Sequence, residues 1–154
     1  MYSRDASHAF TSTGLFYRGV RAEPGQVTML RQALDRWLGR LRLGAEVGQD
    51  VLLASYEALA NVVEHAYSDG HGDRLGAVDL EAVYRPDECS VEVIVTDHGR
   101  WRTPDDASGD SCRGHGLALI RTLTSHTEVV SVPDGTSVSM KWDVSGCAAL
   151  VAAP

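Results

Sequence analysis

Two hairpin signatures constrain this chain more than any other feature of it. Val78, Leu80, Ala82 and Tyr84 alternate with Asp79, Glu81 and Arg85; the pattern breaks at Arg85-Pro86-Asp87-Glu88, and Val91, Val93 and Val95 alternate again. Further on, residues 127–132 and 136–142 flank the turn Pro133-Asp134-Gly135. Alternation at period two turns one side of each strand toward a core, and a short break between two such runs makes the strands antiparallel neighbours. Leu15, Tyr17 and Val20 suggest one more short strand. Other apolar positions recur at helical spacing. Val27, Leu30, Leu34, Trp37, Leu38 and Leu41 predict a helix after the break at Glu23-Pro24-Gly25. Leu52, Tyr56, Leu59, Val63 and Ala66 predict a second over residues 46–67, and Leu117, Ile120 and Leu123 or Thr124 a third over residues 116–125. The order β-α-α-β-β-α-β-β, without an internal repeat, describes a two-layer α/β (α+β) sandwich. Its mixed, largely antiparallel sheet is covered on one face by helices, which excludes a doubly wound parallel fold.

The 154 residues fit one domain of ordinary globular composition, with 44% hydrophobic and 23% charged residues. We expect a flexible N-terminal arm over residues 1–13, the domain over 14–145 and a short tail over 146–154. Lys and Arg total 14 against 21 Asp and Glu, and no basic block occurs, so a general nucleic-acid binder is not expected. Cys89, Cys112 and Cys147 form no metal-type pair and suit reduced thiols in the cytoplasm. No apolar run approaches the length of a membrane span.

Four stretches carry candidate chemistry. Glu57, Asn61 and His65 stand at i, i+4 and i+8 of the second helix, about 40° apart on a helical wheel, so they share one face. From spacing alone this is a solvated polar face, the rule in amphipathic helices. Asp97-His98-Gly99 follows the strongest strand pattern; a carboxylate there can accept a hydrogen bond from an exocyclic amine, and the glycine permits close approach to a ring. An ordinary turn has the same composition. Residues 98–114 are polar and aperiodic, a long loop closed by Arg113-Gly114-His115-Gly116-Leu117, where backbone N–H groups meet a helix start that favours an anion. Gly135-Thr136 closes the series.

Together the stretches resemble the GHKL superfamily of gyrase, heat-shock chaperone, histidine kinase and MutL type ATPases. Glu57-Ala58-Leu59-Ala60-Asn61-Val62-Val63-Glu64-His65-Ala66-Tyr67 resembles its N box, Asp97-x-Gly99 its first glycine box, Gly114-x-Gly116-Leu117 its second, and Gly135-Thr136 its last nucleotide-contacting turn. The small size and the Glu-x-x-x-Asn-x-x-x-His-Ala-Tyr form are similar to the anti-sigma factor serine/threonine kinases of bacteria. The resemblance implies a Bergerat-type ATP-binding fold with ATP and Mg²⁺ as cofactors, Glu57 as general base and Asn61 as metal ligand. It implies that Asp97 reads adenine with Gly99 and Thr136 close by, that Gly114 and Gly116 contact phosphates within a lid, and that His65, Arg113, His115 and Leu117 lie near the nucleotide. The implied partners are a sigma factor and an anti-sigma factor antagonist as protein substrate; a homodimer is a further expectation, direct nucleic-acid or membrane contact is not.

Two features depart from the family pattern or compete with it. Gly99 is followed by Arg100 and Trp101 rather than by a second glycine, so the lid is expected to be built differently. His98, Cys112 and His115 invite a zinc site, but with no fourth ligand and no Cys-x-x-Cys pair the spacing fits poorly. No nucleophile-elbow pattern supports a hydrolase triad. The competing reading is a non-catalytic module that sequesters a regulator with or without nucleotide; a sensor histidine kinase would need a phosphoacceptor helical hairpin that is not found here.

Overall fold

The computed structural model describes residues 7–10, 13–68, 76–98 and 113–144. In chain order the elements are β1 (Ser7–Phe10), β2 (Gly14–Arg21), α1 (Pro24–Arg40), α2 (Ala45–Ser68), β3 (Ala77–Arg85), β4 (Ser90–Asp97), α3 (Arg113–Leu123), β5 (His126–Val132) and β6 (Gly135–Asp143). A single 3₁₀ turn, Pro86–Glu88, joins β3 to β4. The six strands form one sheet in the order β1-β2-β3-β4-β6-β5, and each of these five pairings is antiparallel.

The alternation read from the sequence is the alternation of burial. Val78, Leu80, Ala82 and Tyr84 on β3, Val91, Val93 and Val95 on β4, and Val138, Met140 and Trp142 on β6 are all buried under the helices. Their neighbours Asp79, Glu81, Glu92, Ile94, Ser139 and Lys141 are half-buried. Here Arg85 pairs with Glu92 and Arg18 with Glu81, as suits a face that keeps contact with water. Helix α1 starts on Pro24, whose missing N–H is one of those a first turn leaves unbonded anyway, and it buries Val27, Leu30, Leu34, Trp37 and Leu38. The indole Nε1–H of Trp142 donates to the carbonyl of Leu123 at 2.7 Å, which ties the end of α3 to β6.

Three expectations change. Within the arm expected over residues 1–13, Ser7–Phe10 forms the edge strand β1, in register from Ser7 opposite Arg18 to Phe10 opposite Leu15. Four residues at a sheet edge are too few to display a period. Helix α3 starts at Arg113 rather than at residue 116, so Gly114 and His115 join Gly116 in its first turn instead of ending the loop. On α2 the buried face consists of Val51, Ala54, Ser55, Ala58, Leu59 and Val62, whereas Tyr56 is 40% exposed. At about 100° per residue this face is rotated by roughly a quarter turn from the expected stripe. Small side chains occupy its centre because α2 packs between α1 and α3, where close approach is worth more than bulk.

Candidate functional site

The rotation of α2 decides where its polar residues point. With Val51, Ala58 and Val62 facing the core, Asn61 lies at the margin of the buried face, and Glu57 one turn earlier lies a little further out. Both are half-buried. On the solvent side of Glu57, Leu53 is 44% exposed and Tyr56 carries the guanidinium of Arg31 at 5.4 Å from its ring centroid. The backbone of His65 continues the same helix.

Asn61 meets α3. A methyl group placed on Gly116 would lie 3.1 Å from Asn61 Nδ2 and 3.2 Å from Oδ1, so the glycine is what lets the first turn of α3 close on the amide. The N–H groups of a first helical turn have no intrahelical acceptor, and the helix dipole is positive there. A neutral amide oxygen could serve a hard cation, and the N–H groups beside it could serve an anion. Leu117, half-buried, packs against the core and anchors this turn.

A second cluster forms at the strand ends. Asp97, the last residue of β4, is only 5% exposed and lies opposite Thr136 of β6, which is 2% exposed. Gly135 could hold no other residue without a shift of backbone: a Cβ there would sit 2.0 Å from the carbonyl oxygen of Asp97 and 3.3 Å from the Cα of His98. Thr136 Oγ1 lies 3.4 Å from the hydroxyl of Ser131. On the far side of Asp97, a Cβ on Gly76 would be 3.6 Å from Oδ1. A carboxylate at a strand end with glycines close by is a hydrogen-bond acceptor suited in chemistry to an exocyclic amine.

His98 leaves on the opposite face of the sheet. Its Nε2 lies 2.7 Å from Oδ2 of Asp79 on β3, whose Oδ1 accepts the N–H of Gly19 at 2.7 Å. Sequence reasoning missed Asp79, because an acidic residue at an outward strand position looks like any other. The signal available was Gly19 inside a strand, a mark of a bulge.

Of the expected site residues, the structure brings Asn61 to Gly116 and Asp97 to Thr136, with Glu57 one turn from Asn61. Arg113, Gly114 and His115 lie in the first turn of α3 by backbone, the side chains of His65, Arg113 and His115 being outside the described residues. Gly99, Arg100 and Cys112 also lie outside them, and with them the expected lid. Among the described residues, no group of three His, Cys, Asp or Glu could hold a metal ion, and no helix is long and apolar enough to cross a membrane.

An α+β sandwich with a helix-borne Asn against a glycine turn, and a buried Asp at a central strand end, has the architecture of nucleotide-binding ATPase domains. The family model of the histidine kinase-like ATPase domain matches residues 20–142, and the chain belongs to that family. Among its relatives, the serine-protein kinase RsbW of Bacillus velezensis is 29% identical over 149 residues, covering 88% of this chain and 89% of that protein. The fold is also that of three solved structures. The RsbU and RsbW domains of a Mycobacterium tuberculosis protein align with a TM-score of 0.66 at 23% identity, over 85% of this chain and 32% of that one. The SiaB–SiaC complex of Pseudomonas aeruginosa gives 0.64 at 17% identity, over 82% and 88% of the two chains. The histidine kinase domain of a blue-light activated kinase from Erythrobacter litoralis gives 0.53 at 22%, over 94% and 69%.

Proposed function

We propose that this chain is an ATP-dependent protein serine/threonine kinase that phosphorylates an anti-sigma factor antagonist and, in alternation, holds a sigma factor. The observation that carries the reading is the contact of Asn61 with Gly116, one helical turn from Glu57. Similarity to a relative named as a serine-protein kinase supports it. The unit responsible is residues 14–145, extended at the sheet edge by β1. Cytoplasmic location, control of transcription and a homodimeric state belong to the same proposal.

Each residue has a chemical task. Asp97 accepts a hydrogen bond from the adenine amine, with Thr136 beside it; the role the family resemblance implies for Gly99 belongs to the same proposal. The first turn of α3, including Gly114 and Gly116, donates N–H groups to phosphate oxygens, and Arg113 and His115 stand at the same helix start. Asn61 would hold Mg²⁺, which when bound supplies charge that offsets the phosphate oxygens. Glu57 accepts the proton of the incoming Ser or Thr hydroxyl as its oxygen bonds to the γ-phosphorus of ATP and the bond from that phosphorus to the β-phosphate oxygen breaks, releasing ADP. The nucleotide contact that the family resemblance implies for His65 belongs to the same proposal. The exposed Leu53 and Tyr56 flank Glu57 on the side away from Asn61, which suits an acceptor that is a protein surface rather than a small alcohol.

Radiolabelled ATP with Mg²⁺ and candidate antagonists provides the test: label should move to a Ser or Thr of one antagonist. Leu53→Asp should raise the KM for that protein by about tenfold with ADP affinity unchanged. Binding of ATP without label transfer to any antagonist, together with sigma-factor capture, would instead support the non-catalytic module.

A further inference from the structure

We infer that Asp79 and His98 are positioning residues that fix the direction in which Asp97 presents its carboxylate, an inference resting on the reading of Asp97 as the adenine acceptor. Strands fray at their ends, and Asp97 is the last residue of β4. Three restraints hold it there. It pairs with Thr136 on one side and Val78 on the other. The backbone N–H of His98 donates to the carbonyl of Ala77 at 3.1 Å, one residue beyond the end of the strand. The His98 ring donates to Asp79 Oδ2 at 2.7 Å.

Successive side chains of a strand point to opposite faces, so pinning His98 on one face sets the rotation of Asp97 on the other. Asp79 is itself held. The register of β2 against β3 passes from Tyr17 opposite Leu80 to Val20 opposite Val78, so Arg18 and Gly19 together face Asp79 in a bulge. Gly19 has φ +68°, a left-handed conformation that glycine adopts without strain, and its N–H donates to Asp79 Oδ1 at 2.7 Å. One carboxylate thus joins the bulge of β2, the middle of the sheet and the point where the chain leaves β4 toward Gly99. Asp79 is largely covered, with 14% of its side chain exposed, while half of the His98 ring faces water. The ring can therefore be exchanged without opening the core.

The test is a double-mutant cycle read as ADP affinity by calorimetry, at a temperature where circular dichroism shows every variant folded. His98→Gln removes the ring and leaves the Asp79 to Gly19 bond in place; Asp79→Asn keeps an acceptor for Gly19 and removes the charge. Each should weaken ADP by about tenfold, the loss expected when a charged hydrogen bond that orients a binding group is removed. In the Asp97→Asn background His98→Gln should cost nothing further, because the group it positions is already gone. A purely structural role would lower the melting temperature yet leave folded-state affinity unchanged, or give losses that simply add; either result overturns the inference. If Asp97→Asn itself leaves ADP affinity unchanged, the adenine reading fails and this inference with it. If Asp97→Asn weakens ADP while His98→Gln does not, only the positioning role is lost.

Discussion

The two ends of the site are built on different supports. At the strand end, Asp97 and Thr136 face each other across a hydrogen-bonded ladder, and Gly135 touches the Asp97 backbone so closely that not even a methyl group fits. At the helix end, Asn61 and Gly116 meet only through the packing of α2 on α3, and what a methyl group would strike is a side chain that can rotate. A base is a rigid, flat ligand, and a sheet end suits it. Phosphates and a hydrated metal change geometry during transfer, and a contact between two helices can give way by fractions of an ångström.

The largest effect expected at either end is chemical. Glu57→Gln removes the proton acceptor while keeping shape, so phosphoryl transfer should slow by ~10²–10⁴-fold with ADP affinity unchanged. Single-turnover label transfer beside calorimetry reads both. A parallel loss of ADP binding would place Glu57 in nucleotide contact and erase the division of labour between the helix face and the strand end.

Two glycine substitutions probe the supports directly. Gly135→Ala forces backbone apart and should cost about 1–3 kcal/mol of stability along with adenine binding. Gly116→Ala lies within a helix, where alanine is favoured over glycine by up to about 1 kcal/mol, and its neighbours are movable amide atoms. Its fold should be intact or slightly firmer, while Mg²⁺-dependent ATP affinity falls by about tenfold. Thermal melts with and without Mg-ATP separate the two. Equal destabilisation by both alanines would mean that the helix end is as unyielding as the strand end.

Much of this was legible in the sequence because it repeats. The hairpins showed themselves through alternation, and α1 through a buried stripe of large residues. Asn61, Asp97 and Thr136 were found by their order and spacing relative to a known family pattern rather than by periodicity. What escaped notice has physical causes. The buried face of α2 is centred on Ala54, Ser55 and Ala58, small residues that a search for bulky apolar positions passes over, while Tyr56 faces water beneath Arg31. The start of α3 contains Gly-His-Gly, which by propensity reads as loop; packing against Asn61 outweighs that preference. Strand β1 has only four residues. Asp79 occupies an outward strand position like any other, and its tie to His98 spans 19 residues.

The smallest effect concerns β4 itself, which carries Asp97 at its end and Glu92 on its water-facing side. Burial pushes the Glu92 carboxyl up, but hydrogen bonds from Arg85 and Ser139, with the charges of Arg85 and Lys141, outweigh it and hold the pKa below its ordinary value of 4.5. Arg85 Nη1 lies 2.7 Å from Oε2, and the Ser139 hydroxyl donates to Oε1 at 3.0 Å, so the group bridges β3 and β6 across β4. A carboxyl whose folded pKa is depressed adds stability that is fully present above the unfolded value and disappears as pH falls through the folded one. Stability should therefore decline as pH drops below about 4.5, and Glu92→Gln should remove part of that slope. Because the pair is partly solvated, the difference at neutral pH should be no more than about 1 kcal/mol. Urea melts of both proteins between pH 7 and 3 measure it, and the two stability curves should converge at the acid end. Curves that stay parallel would mean that the Arg85–Glu92–Ser139 bridge contributes nothing to the ladder. The rigidity of the strand end would then rest on its own ladder pairings and on the contacts of Gly135 and His98.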